Sequence, residues 1–231
     1  MAVSKTDYVR ALQCEKMLWL DAHAPEYKIV PIEVQQRLDA GNEFGDKAMG
    51  IFGAFLEATT YKADGRMDFA AMLEKTKTWL EQGENVVCEG AFSWYGNYCA
   101  ADILKRDGDG YAMYEVKNAG AVRKEFLLDL GFQSMILKKC GVKLTSCYLI
   151  LNADKAEEGK EVGQVCVEHE NQRYMLVDVS AQARILEREA QNKVFGFGKL
   201  KKKETPQPII AVGEHCEKPY RCWYYEYCHQ K

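Results

Sequence analysis

The chain has 231 residues, with 31 lysines and arginines against 34 aspartates and glutamates, which gives a formal net charge of −3 at pH 7. Hydrophobic residues make up 47% of it, and 13 Tyr, 9 Phe and 4 Trp supply surface to bury, so the composition excludes a mainly disordered chain and a histone-like coat of positive charge. Since no apolar run is long enough to span a membrane and the N-terminus lacks an apolar signal core, we expect a cytoplasmic protein with reduced thiols.

Three helices are predicted in the first third of the chain. Ser4 and Asp7 match a capping box, with Asp in the usual Glu or Gln position, ahead of an amphipathic helix that reaches about Leu20. A second helix is predicted from Glu33 to about Phe55, although its four glycines weaken the pattern. A third helix is predicted from Asp68 to Glu81, where apolar residues form one broad stripe.

Strands dominate the middle of the chain. They are predicted over residues 85–94, 98–106, 111–117, 143–152, 164–169 and 173–179. Helices are predicted over residues 123–140 and from a Ser180 cap to about Phe195, where Gly196 and Gly198 end the helix ahead of a basic loop over residues 199–203. This order of elements predicts one mixed α/β domain with terminal decorations.

The hairpin that turns between residues 107 and 110 places two carboxylates on neighbouring strands. Its register sets Asp102 opposite Glu115, and Lys117 projects from the same face as Glu115. Opposed carboxylates repel each other unless a cation lies between them, and hard oxygen ligands favour Mg²⁺ or Mn²⁺ bound with phosphate and water. Lys117 would then orient or deprotonate the attacking water, or stabilise charge on the phosphate. The alternative is a solvated strand edge with ordinary charges.

These segments resemble a known family. Ala101-Asp102-Ile103-Leu104, Tyr114-Glu115-Val116-Lys117 and the Gln133 that closes Asp129-Leu130-Gly131-Phe132-Gln133 are similar to successive motifs of the PD-(D/E)XK nuclease superfamily, in its RecB-like branch. Ser4-Lys5-Thr6-Asp7-Tyr8, Leu12-Gln13-Cys14 and three late cysteines resemble the iron–sulphur members of that branch, such as CRISPR-associated RecB-like exonucleases and the AddB nuclease domain.

The resemblance implies a single nuclease domain over residues 1–231. Its fold would be α/β, with a restriction-endonuclease-like core over about residues 33–179 in which helices flank a central mixed β-sheet. Segments 1–20 and 210–231 would form an iron–sulphur subdomain, joined by a cluster of four cysteines.

The resemblance also assigns roles to residues of the motifs. Asp102 and Glu115 would bind Mg²⁺ or Mn²⁺, together with the carbonyl of Val116. Lys117 would be the catalytic lysine, and Gln133 would steady the substrate or the metal-bound water.

Glu43 is a further implied ligand. It stands in an early helix where the CRISPR-associated enzymes usually have His and other branches of the superfamily have Glu, which implies a third metal ligand. The alternative is an ordinary solvated charge on a helix.

Four cysteines are implied to hold a cofactor. On ligand chemistry alone, four thiolates suit Zn²⁺ and a [4Fe–4S] cluster equally; the absence of a Cys-x-x-Cys pair disfavours a zinc ribbon, and the resemblance favours the cluster. The ligands would be Cys14, Cys216, Cys222 and Cys228, with His215 and His229 as less favoured alternatives.

The function implied is that of a metal-dependent DNA nuclease acting on single-stranded ends, in DNA repair and recombination or in CRISPR spacer acquisition. Basic residues such as Lys199 to Lys203 would attract phosphate without reading sequence. Two alternatives remain open: a nucleic-acid-binding structural partner that does not cut, and a zinc-stabilised protein with another role.

Overall fold

The computed structural model describes residues 2–157 and 166–230, so the predicted strand start at residue 164 lies outside the described residues. The helices are α1 Lys5–Gln13, α2 Glu15–His23, α3 Ile32–Ala48, α4 Phe69–Gln82, α5 Lys124–Lys139, α6 Ser180–Leu200 and α7 Tyr225–His229. The strands are β1 Leu56–Glu57, β2 Val86–Trp94, β3 Asn97–Asp107, β4 Gly110–Lys117, β5 Leu144–Asn152, β6 Cys166–His169 and β7 Gln172–Asp178. Single 3₁₀ turns lie at Pro25–Tyr27, Met49–Phe52, Ala153–Lys155 and Glu214–Cys216.

The described strands form one sheet of seven, in the order β1-β2-β3-β4-β5-β7-β6. β1 lies parallel to β2 and β4 lies parallel to β5, whereas the remaining neighbours are antiparallel. The parallel pair β4 and β5 is joined through α5, as a parallel crossover requires. The prediction of a mixed α/β fold with helices around a central mixed sheet is therefore confirmed.

The hairpin between β3 and β4 has the predicted register. Asp107 pairs with Gly110 across the turn residues Gly108 and Asp109. The φ of Gly108 is +59°, a value that glycine adopts without steric cost.

Hydrophobic residues cover both faces of the sheet. Along β4, Tyr111 and Met113 pack into the larger core with α1, α5 and α6, while Ala112 and Tyr114 pack into a second core with the end of α3. This alternation follows from the two-residue period of a strand. Glu115 follows Met113 in that alternation, so it projects toward α5.

The first predicted helix is wrong in its length. The capping box of Ser4 and Asp7 is present, but the helix stops at Gln13 because Cys14 takes an extended backbone conformation, with φ −160° and ψ 113°. The chain then resumes as α2, which packs Met17 and Leu20 against the C-terminal segment.

Two other helix ends differ from prediction. α3 ends at Ala48, ahead of Phe55, and a 3₁₀ turn follows it. α6 continues through Gly196 and Gly198 to Leu200 and carries no side-chain cap from Ser180. Burial of Phe197 and Gly198 in the α6 packing outweighs the weak helix propensity of glycine.

Candidate active site

Two carboxylates from neighbouring strands converge on one ammonium group. The Nζ atom of Lys5, at the start of α1, lies 3.2 Å from Oδ1 of Asp102 and 3.4 Å from Oε1 of Glu115. Glu115 is only 1% exposed, and the Asp102 side chain is 19% exposed. The two acids are therefore close enough to share a single cation, as the hairpin register predicted.

The strands open at this point. The ladder of β3 and β4 ends at the pair Ile103 and Tyr114. Beyond that pair, the N–H of Val116 donates to Oδ2 of Asp102 at 2.7 Å. A side-chain carboxylate thus takes the place of a backbone acceptor, and this fixes Asp102 beside β4.

A third carboxylate, that of Glu89, enters the same cavity from β2. Cys88 pairs with Ile103 and Gly90 pairs with Ala101, which places Glu89 next to Asp102. The φ of Glu89 is +51°, an unusual value for a residue other than glycine. Burial and the neighbouring Asp102 carboxylate raise the pKa of Glu89 to about 8.

Lys117 is clamped between two acids. Its Nζ atom donates to Oε1 of Glu115 at 2.6 Å and to Oδ2 of Asp129, on α5, at 2.8 Å. Burial works to lower the pKa of Lys117, but the carboxylates of Asp129 and Glu115 outweigh it and raise that pKa above its ordinary range. Lys117 is accordingly an ammonium group at neutral pH.

Gln133 fixes the other side of Glu115. Its Nε2 atom donates to Oε2 of Glu115 at 2.7 Å and to Oδ1 of Asp129 at 3.2 Å, and the residue is fully buried. Burial works to raise the pKa of Glu115, yet Lys117, Lys5 and the Gln133 hydrogen bond together lower it. Gln133 thus contacts the acids themselves, which makes it a positioning residue for Glu115.

The site has an excess of negative charge. Glu89, Asp102, Glu115 and Asp129 face Lys5 and Lys117, so the formal charge is −2 when all six groups are ionised and −1 when Glu89 is protonated, as its pKa of about 8 favours at neutral pH. That charge and the oxygen donors fit a divalent ion such as Mg²⁺ or Mn²⁺. As placed here, with the lysines between the acids, no group of three or more acidic, His or Cys side chains in the described ranges is spaced to hold one metal ion.

The structure does not bring Glu43 to this site. Its side chain is 70% exposed and accepts a hydrogen bond from Lys47 at 2.7 Å, one turn along α3. The α3 side chains that line the cavity include Arg37, Asn42 and Asp46 but not Glu43. The role of Glu43 as a ligand stays a prediction, and in this arrangement Glu89 lies nearer to Asp102.

Sequence reasoning missed Lys5, Glu89 and Asp129. Glu89 carries a local signal, since it is a charged residue inside the apolar run of β2. Lys5 and Asp129 stand in segments that carry the family resemblance, but no local pattern predicts their partners, which are set by the packing of α1 and α5 against the sheet.

The four predicted cysteine ligands line one small cavity. It lies between the junction of α1 and α2 and the C-terminal segment, and Met17 and Leu20 form part of its wall. The N–H of Tyr224 donates to the sulphur of Cys222 at 3.4 Å. The thiols are Cys14, Cys216, Cys222 and Cys228.

The two histidines differ in position. His215 lines the thiol cavity, with Nε2 3.7 Å from the sulphur of Cys216. His229 instead stacks on the ring of Tyr225, with centroids 3.7 Å apart, and its Nδ1 lies 2.9 Å from the Tyr225 carbonyl oxygen.

The chemistry of the cavity fits a soft metal centre. Four sulphur donors suit zinc or an iron–sulphur cluster. Burial, offset in part by the Tyr224 N–H, raises the pKa of Cys222 to about 11, and burial also raises the pKa of Cys14. The thiols as placed do not form a ready single-ion site within the part of the chain that the structure describes.

Comparisons with known proteins give little. No protein-family model matches the chain, and no curated protein matches it. Among solved structures, an alkaline exonuclease from Laribacter hongkongensis is similar, with a TM-score of 0.33 and 16% sequence identity over 55% of this chain and 62% of that one. The match thus spans less than two thirds of the exonuclease. Among the described residues, no helix is both long and apolar enough to cross a membrane.

Proposed function

We propose that this protein is a metal-dependent nuclease that hydrolyses phosphodiester bonds in DNA, with single-stranded ends as its substrate. The observation that carries the proposal is the convergence of Asp102 and Glu115 on one ammonium group, with Lys117 only 2.6 Å from Glu115. Titratable groups with perturbed pKa values that line a cleft mark a candidate functional site, and carboxylates beside a lysine can supply the metal ligands and the positive charge that hydrolysis of a phosphate ester needs.

Asp102, Glu115 and the Val116 carbonyl would hold Mg²⁺ or Mn²⁺, which when bound would polarise the phosphodiester and lower the pKa of water. Lys117 is kept as an ammonium group by Glu115 and Asp129, so it supplies positive charge to the phosphate as negative charge develops there. Gln133 keeps the Glu115 carboxylate in one orientation throughout.

The test uses end-labelled single-stranded and duplex DNA with Mn²⁺. We expect cleavage that EDTA abolishes, and we expect Lys117→Ala to lower the rate by about 100-fold or more, as does the loss of one stabilising donor in other enzymes. Lys193→Ala is the matched control, because Lys193 pairs with Glu189 on the exposed face of α6. Equal cleavage by the Lys117 variant would disprove the assignment.

The four thiols support a second part of the proposal, a [4Fe–4S] cluster held by Cys14, Cys216, Cys222 and Cys228. The support is the common cavity that these four thiols line. Its role would be structural, because Cys14 lies far along the chain from the other three.

A second candidate function is that of a structural partner that binds nucleic acid without cutting it, in a repair or CRISPR spacer-acquisition complex. The exposed position of Glu43 favours this candidate, since it leaves the acid pair without the ligand predicted from α3. Metal-independent DNA binding with no cleavage product would support it over the nuclease.

A further inference from the structure

A second cavity adjoins the acidic one, and we call it the basic groove. Its walls come from α1, α3, the start of α5 and the C-terminal segment around Tyr220 and Trp223. Lys5, Arg37 and Lys117 line both cavities, so the groove borders the acid pair at these three side chains.

The two cavities carry opposite charge. The acidic cavity has five carboxylates against three cationic side chains in its lining. In the lining of the basic groove the balance reverses, because only Glu125 and Asp129 oppose five cations. These cations are Lys5, Arg10, Arg37, Lys117 and Arg221. Two of the five also pair with acids outside the lining, Arg10 with Asp21 and Arg221 with Glu226.

Aromatic rings stand between the cations. The guanidinium group of Arg37 lies 4.3 Å from the ring centroid of Tyr220, and that of Arg10 lies 4.1 Å from that of Trp223. Tyr220 is held in place, since its hydroxyl donates to Glu125 at 3.2 Å and its carbonyl accepts from Gln13 at 2.7 Å. The wall is thus a fixed platform of rings and arginines.

We propose that the basic groove binds the single-stranded segment of a nucleic acid and leads its backbone to Lys117. Arg37 contacts the phosphates, and unpaired bases stack against Tyr220 and Trp223. Cations that follow a backbone, together with rings that accept any base, are how proteins hold single strands without reading sequence. The bases of a duplex are not free for such stacking. This inference rests on the proposed nuclease function for the identity of the polymer.

The test measures binding of fluorescently labelled oligothymidine by anisotropy in EDTA, where metal-dependent cleavage cannot occur. We expect Arg37→Glu to weaken binding by about 10-fold or more and to reduce its salt dependence. Arg188→Glu is the control, because Arg188 is exposed on α6 outside both linings, and it is expected to bind within about twofold of the native protein.

Two results would contradict the proposal that the groove binds a single strand. One is equal binding by the Arg37 variant and the control. The other is competition by inorganic polyphosphate, or by duplex of equal length, as effective as unlabelled oligothymidine, since that would leave no part for stacking. Cleavage assays separate the two proposals. If the native protein never cuts the oligonucleotide although Lys117→Ala binds it, the proposed nuclease activity is contradicted and binding in the groove is not. If cleavage depends on Lys117 but Arg37→Glu does not weaken binding, the proposed binding in the groove is contradicted and the nuclease activity is not.

Discussion

Gln133 is fully buried and donates its amide to two carboxylates, so the acid centre depends directly on this side chain. Replacing it with Leu removes both hydrogen bonds and leaves Oε2 of Glu115 without its donor. A buried charged group that loses a partner costs about 2–3 kcal/mol. We therefore expect Gln133→Leu to lower the free energy of unfolding by that amount in urea denaturation.

Gln35→Leu controls for the loss of an amide. Gln35 also donates to a carboxylate, that of Asp39 at 2.8 Å, but on the exposed face of α3. A change within about 0.5 kcal/mol is expected there. If both variants lose the same stability, the buried network is not what holds Glu115.

Asp7 links pH to stability. Burial works to raise its pKa, but hydrogen bonds from Lys201, at 2.8 Å, and from the N–H of Ser4, at 3.0 Å, outweigh it and lower that pKa. A carboxyl group with a depressed folded pKa stabilises the protein above its unfolded pKa of about 3.9, and this contribution is lost as pH falls through the folded value.

We accordingly expect Asp7→Asn to destabilise the protein by about 1 kcal/mol at neutral pH, a typical effect for a cap, with the difference shrinking toward about pH 3. Chemical denaturation of both proteins across that range measures it. Asp64→Asn, whose side chain is 48% exposed beside Arg66, is expected to change little at any pH. A deficit for Asp7→Asn that stays constant with pH would contradict the ionic explanation.

Individual residues also show which parts of the candidate site can be predicted from the sequence. The proximity of Asp102 and Glu115 could be predicted from the hairpin register, because the ladder sets Ile103 opposite Tyr114 and the two acids follow that pair. Lys5 could not be placed between them, since its position depends on how α1 packs on the sheet. Glu43 lies on the solvent-exposed side of α3, where it pairs with Lys47 one helical turn along the chain.

At the scale of elements, two glycines make opposite predictions. Gly196 lies inside α6, and a Cβ atom built there meets nothing within 4 Å. Gly131 lies inside α5, where an added Cβ would approach the Cβ of Leu186 to 2.5 Å. The first glycine only weakens a helix, whereas the second allows α5 and α6 to pack closely.

We expect Gly196→Ala to raise the free energy of unfolding by about 0.5–1 kcal/mol, through helix propensity. We expect Gly131→Ala to lower it by about 1–3 kcal/mol, through overpacking. Thermal denaturation of the two variants provides the comparison, each serving as the control of the other. A gain in stability from Gly131→Ala would show that α5 and α6 leave room for a methyl group between them, and it would contradict the prediction.

Helix interiors were easier to predict than helix ends. The predicted start at Asp68, which came from the apolar stripe, coincides with a cap in the structure, where Oδ1 of Asp68 accepts from the N–H of Ala71 at 3.2 Å. The end of α1 at Gln13 had no such local signal, because the extended backbone of Cys14 serves contacts with the distant C-terminal segment.

At the scale of the whole molecule, the thiol cavity joins the two ends of the described chain. Since a bound cluster would pin these segments together, its loss should both bleach and destabilise the protein. We expect anaerobically purified protein to be brown, and Cys216→Ser to lose colour and iron and to melt at a lower temperature. Visible absorbance, iron content and thermal denaturation measure the three effects.

Cys166→Ser is the matched control, because Cys166 is exposed on β6 outside the cavity. It should keep colour, iron and melting temperature. Retained iron in the Cys216 variant would contradict the ligand set, and a colourless native protein that contains zinc would contradict the cluster.

The overall architecture was accessible from sequence because hairpins and amphipathic helices are local. Turn residues and a two-residue period predicted β2, β3 and β4 to within two residues of their ends. The pairing of β7 with β5 and the position of α1 beside the sheet depend on contacts between distant segments, and no local pattern encodes them.

Because the ammonium group of Lys5 lies at the proposed metal site, binding of a metal ion there would exchange one cation for another. A divalent ion that enters between Asp102 and Glu115 must displace a tethered competitor already 3.2 Å from one and 3.4 Å from the other. Occupancy by a metal ion would therefore depend on the affinity of the acids for that ion relative to their affinity for the Lys5 ammonium group. Monovalent ions, which bind carboxylates weakly, would not displace Lys5. In metal-poor conditions the same side chain would keep the acids from repelling one another.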